Sequence, residues 1–160
     1  MRSTWLDLCR PLIWAILAAS FAASALAADN PFLGRWKVVS ADPAPWVDPK
    51  DASTTPDFDK TLSHMTIVFN ATGIEGPKPF GCKKAVYKVQ TSEPDGLFEG
   101  GLKNPKEDAA KLGFTSQQFP LMNEGCASAA ADFDMDFAMV DPDTLVFALN
   151  NVVYRLKRVP

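Results

Sequence analysis

The sequence predicts an all-β protein of about eight antiparallel strands, forming an up-and-down or flattened barrel with one short helix between strands four and five. Three observations carry this expectation. Apolar and polar residues alternate with a period of two in successive short segments, turn-forming residues punctuate them, and only one segment has helix start and stop signals. Closure is the natural end of such a series, because an antiparallel sheet removes its exposed edges by closing on itself.

The chain of 160 residues opens with a segment unlike the rest. Arg2 and Arg10 accompany an apolar run over 12–26 that ends in Ala25-Leu26-Ala27, the small-x-small pattern cut by signal peptidase. The run is shorter than the roughly 20 residues a spanning helix needs. The expectation is a leader over 1–27, removed near Ala27/Ala28, and a single domain over 28–160. That domain would be periplasmic or secreted and not membrane-spanning once mature. Cys9 precedes the apolar run, so it is not placed as the acylated cysteine of a lipoprotein.

The leader holds two of the 16 basic and one of the 19 acidic residues, which leaves 14 against 18 and a net charge of -4. Such a balance lacks the basic stripe of a nucleic-acid binder and suits a basic or neutral partner. Beyond the leader only Cys82 and Cys126 remain, and in an oxidising compartment they are expected to pair. A redox or metal pair is the alternative. It would have to work without a Cys-x-x-Cys motif and with His64 as the single histidine.

The first strand, 33–41, sets Trp36, Val38 and Ser40 against Lys37, Val39 and Ala41. Pro43, Pro45, Pro49 and Pro56 then break any ladder or helix, predicting a long loop over 42–59. Trp46 lies within it, either folded back as a cover for the barrel mouth or free to dock a partner. In the second strand, 62–70, Met65, Ile67 and Phe69 share one face; in the third, 82–90, Ala85, Tyr87 and Val89 do. A short fourth strand is expected over 97–102. Asn104, Pro105, Glu107, Asp108 and Gly113 mark the ends of a helix over 105–112, suited to plug or cover a barrel. A fifth strand, 118–125, leads to Cys126. The sixth has the cleanest alternation, with Phe133, Met135, Phe137 and Met139 on one face and Asp132, Asp134 and Asp136 on the other. Strands over 144–149 and 152–158 are joined by Asn150-Asn151, residues that tolerate the positive φ of a two-residue hairpin.

Gly34-x-Trp36 on the first strand, with a basic residue on the last at Arg155 or Arg158, resembles the structural signature of lipocalins and their calycin relatives. The resemblance implies that an arginine packs across the indole and closes one barrel end, so that Trp36 and that arginine are structural. A second resemblance covers much of the domain. Small envelope domains of the META or HslJ type are similar in their early Trp strand, a Gly-rich turn before Gly81-Cys82, a tyrosine strand, a later cysteine and a terminal hairpin.

Candidate chemistry is sparse. His64 has no accompanying Ser or Cys motif, so no catalytic constellation is legible and no cofactor or metal is expected. The acidic strip of Asp132, Asp134, Asp136, Asp141 and Asp143 has three readings: a solvated face that discourages edge pairing, a calcium site, or a docking surface for a cationic partner. The methionines Met65, Met122, Met135 and Met139 fit a packed core, with Cu(I) handling as the alternative. Two functions follow. One is an exported lipocalin-like binder of a small apolar or amphipathic molecule, with Trp46, Phe69, Tyr87, Phe133, Phe137 and Phe147 as its pocket. The other is an envelope interaction or inhibitor module whose acidic face docks a cationic envelope protein.

Overall fold

A computed structural model describes residues 30–48, 50, 62–127 and 134–160. The expected leader, most of the loop beyond Asp48, and Asp132 and Phe133 lie outside them. Eight antiparallel strands form one sheet: β1 (Gly34–Pro43), β2 (Thr66–Phe69), β3 (Ile74–Glu75), β4 (Ala85–Ser92), β5 (Phe119–Cys126), β6 (Asp134–Asp141), β7 (Thr144–Leu149) and β8 (Val152–Val159). Their spatial order, β3-β2-β1-β8-β7-β6-β5-β4, is an up-and-down meander in which β8 returns to pair with β1. The short helix α1 (Pro105–Lys111) lies between β4 and β5.

The ends of the sheet meet to give a nearly closed barrel. Ile74 and Cys82 exchange two backbone hydrogen bonds, of 2.7 and 2.9 Å, and the Ala85 N–H donates to the Thr72 carbonyl at 3.0 Å. A disulfide from Cys82 to Cys126, with Cα atoms 5.8 Å apart, ties this closing segment to β5. Cross-linking residues 44 apart stabilises the fold by about 4 kcal/mol in the chain-entropy account.

Period-two alternation decides what fills the barrel. Trp36, Ile67, Phe69, Met122, Phe137, Phe147, Tyr154 and Leu156 form a continuous buried core. Its rings are in mutual contact: Phe69 and Phe137 lie 5.0 Å apart between centroids, Phe137 and Phe147 5.2 Å, and Phe147 stacks on Tyr154 at 4.8 Å. Phe80, from the irregular segment before Cys82, enters the same core 5.3 Å from Phe147.

Two expectations change. The segment 97–102 is not a strand: Pro94–Gly100 forms a 3-10 segment interrupted at Leu97–Glu99. Its glycines permit tight turning, and Leu97 is fully buried on the outside of the sheet rather than alternating along a ladder. The eighth strand is instead the two-residue β3, too short to show a period. The first strand also runs further than expected, to Pro43, because Ala41, Asp42 and Pro43 pair with Tyr154, Val153 and Val152. Proline suits that place at the strand end, where it withholds a donor the ladder does not need.

A second core lies on the outer face of β5–β8. Leu97, Leu102, Ala109, Phe114 and Phe119 cover Leu121, Ala138, Val146 and Val153. The side layer of α1 and the 3-10 segment is thus a cover for the sheet, and β7 is buried on both faces.

Candidate functional site

The feature that gathers the most chemistry is a groove at the barrel end where β7 turns into β8. Asn150 and Asn151 make that turn with φ of 50° and 65°, the left-handed pair a two-residue hairpin requires. The Asn151 carbonyl accepts the Ala44 N–H at 2.9 Å, and its side-chain oxygen accepts the Trp46 indole N–H at 2.9 Å. A turn closed by Val47 N–H to the Ala44 carbonyl, 2.9 Å, carries Trp46, directly after Pro45, into place. The Trp46 ring then rests against Phe98, with centroids 5.5 Å apart.

Phe98 and Glu99 reach this position in left-handed backbone, at φ 52° and 58°. Side chains other than glycine disfavour that region by about 1 kcal/mol or more each, so the surrounding packing must hold them there. The groove has a volume of about 520 Å³. Trp46 and Phe98 give it an aromatic wall; Glu99, Asp134 and Asp136 contribute three carboxylates, and Met135 and Leu149 line it as well. Asp136 accepts a hydrogen bond from the Asn123 amide at 3.0 Å, which fixes its direction on the sheet. No basic residue lines the groove among the described residues. Carboxylates gathered in a concave site concentrate a negative potential, and an indole face adds attraction for an organic cation.

Beside Met135 sits a second unusual group. Glu124 on β5 pairs directly with Tyr87 on β4 and Met135 on β6, sharing the interior phase of Met122. It is 1% exposed, and among the described residues neither carboxylate oxygen has a hydrogen-bond partner. Burial, with a smaller contribution from the Asp134 charge, pushes its pKa up to about 7. Tyr87, whose hydroxyl donates to the Gly73 carbonyl at 2.8 Å, is pushed up to about 12 by burial and by Glu124.

The remaining sequence candidates are distributed elsewhere. Phe69, Phe137 and Phe147 lie deep in the barrel core, with Tyr87 at its margin. Asp141 and Asp143 occupy the β6–β7 turn, at the other end of β6 from Asp134. Asp141 accepts the Thr144 hydroxyl at 2.6 Å, which holds its carboxyl below the usual range, and Asp143 lies 3.5 Å from Arg158. The acidic strip therefore divides, with Asp134 and Asp136 in the groove and Asp141 and Asp143 in local turn contacts. His64 is exposed, and no cluster of three or more His, Cys, Asp or Glu side chains suited to a metal ion occurs among the described residues.

Trp36 is fully buried, and the Arg158 guanidinium lies 4.1 Å from its ring centre. Arg158 also donates to the carbonyls of Leu33, Pro31 and Pro142 at 2.9, 2.7 and 3.1 Å. Gly34, at φ 122°, leaves room for it: a Cβ there would stand 3.0 Å from the guanidinium. Arg155 has a different role, donating to the Leu112 carbonyl at 2.9 Å and fastening the side layer to β8.

Phe98, Glu99 and Glu124 were not legible as site residues. Glu124 had a signal, a carboxylate in the phase of Met122 and Cys126; Phe98 and Glu99 depend on a backbone excursion that no local pattern announces. Comparison with protein-family models, curated proteins and solved structures yields no match.

Proposed function

We propose that this is an exported binding protein whose groove takes an organic cation: an amphipathic ammonium compound or the basic side chains of a cationic envelope protein. The carrying observation is that the fold brings the Trp46 indole, far away in sequence, to the same groove as Asp134 and Asp136. An aromatic face beside carboxylates is the chemistry that attracts a partly desolvated cation. The close mutual packing of Phe69, Phe137 and Phe147 favours the groove over the barrel interior as the place where a ligand sits. The disulfide and the signal-like leader support export, and the Arg158 stack on Trp36 supports the calycin-like comparison.

Calorimetric titration with spermine and with a short lysine-rich peptide tests this function. Binding should weaken with added salt, drop about tenfold in Asp134→Asn/Asp136→Asn, and be lost in Trp46→Ala. Equal affinity in all three proteins, or binding to none, refutes it.

A further inference from the structure

We propose that the outer edge of β4 is a docking site for an extended, acidic segment of a partner protein, which adds as a strand in the gap between β4 and β3. This goes beyond the groove and uses a different part of the sheet, the terminal strand in its order. β4 is eight residues long and pairs with β5 along its whole length without a register break, whereas its neighbour across the seam, β3, has only two residues. Closure is made by Cys82 and by the Ala85 N–H to Thr72. Beyond that point no backbone hydrogen bond crosses the seam among the described residues, and the Tyr87 hydroxyl reaches the Gly73 carbonyl from the barrel side.

In an antiparallel strand alternate residues turn both backbone groups to the same side. Tyr87, Val89 and Thr91 therefore share the outward phase of Ala85, and among the described residues no backbone partner meets their N–H and C=O groups. The side chains of this strand are unusually uncovered. Val89 sits in the interior phase opposite the fully buried Met122, yet it is 43% exposed, and Val86 is 60% exposed. These are two of the three large hydrophobic side chains exposed among the described residues.

Charge selects the occupant. Lys83, Lys84 and Lys88 stand exposed on and just before the strand. A second copy of β4 would bring lysines against lysines, the usual means by which an edge refuses its own kind. An acidic strand turns the same charges into cross-strand attraction, while main-chain hydrogen bonds supply the affinity and valine contacts the register.

The test uses the disulfide-bonded chain and three fluorescein-labelled peptides. The first alternates valine and glutamate, the second is the same peptide N-methylated on alternate backbone nitrogens, and the third alternates valine and lysine. Anisotropy should report binding of the first peptide alone, about tenfold weaker in Lys84→Glu/Lys88→Glu, whose exposed positions leave the fold intact. Amide exchange should slow at Val89 and Thr91 when that peptide is bound. Binding of the N-methylated peptide with equal affinity, equal affinity in the double variant, or no binding of the glutamate peptide overturns the proposal.

Discussion

Replacing Glu124 by glutamine should make the protein less sensitive to pH and more stable at pH 8. Below pH 4.5 the carboxyl is protonated in both the folded and the unfolded chain, and it adds no pH dependence. Between 4.5 and about 7 the unfolded chain gives up a proton that the barrel retains, so stability falls as pH rises; above 7 both states are ionised and the loss is complete. A shift of that size corresponds to about 3 kcal/mol, or roughly 10 °C in Tm for a domain of this length. Tyr87 enters the balance only above pH 10. Glutamine keeps the shape without the charge, and Glu124→Leu serves as a second variant that also removes the unpartnered polar atoms. Urea denaturation at pH 5 and pH 8 measures the effect: the wild type should lose stability between the two, and both variants should lose much less. Identical pH profiles for wild type and variants would refute the reasoning, as would a Glu124 carboxyl titrating near 4.5 by NMR.

Two further outcomes follow from the covalent and stacking ties of the barrel. Cys82→Ser/Cys126→Ser should lower stability by about 4 kcal/mol in denaturant titration, with the loss reproduced by reducing the wild type. Arg158→Ala should cost about 2 kcal/mol by thermal melting, because it removes the Trp36 stack and leaves three carbonyls without their donor, and Arg158→Lys should recover little of it, lacking the planar fork.

The barrel was legible because its inward residues alternate strictly. Phe137 and Met139 on β6, and Ile67 and Phe69 on β2, declare a buried face within a few residues, and burying that face is the main source of stability. Asn150-Asn151 specified its own turn. The 97–102 segment carries a strand-like pattern without being a strand because Leu97 and Leu102 are apolar for the sake of an outer core, and a local pattern does not say which face of which element will receive them. The acidic strip is a cluster in sequence that the extended length of β6 separates in space, with Asp134 at one end of the strand and Asp141 at the other.

The sequence by itself determined seven of the eight strands, the pairing-competent cysteines, the hairpin and the alternation that sends aromatic residues inward, all consequences of spacing over a few residues. Only the tertiary structure decided that Trp46 bonds to Asn151 and shares a groove with Asp134, that Phe98 and Glu99 turn left-handed beside it, and that, among the described residues, Glu124 is buried without a hydrogen-bond partner and β4 ends the strand order. Those depend on which distant segments close over one another, and contacts of that range are settled by the packing of the whole barrel rather than by any stretch of chain.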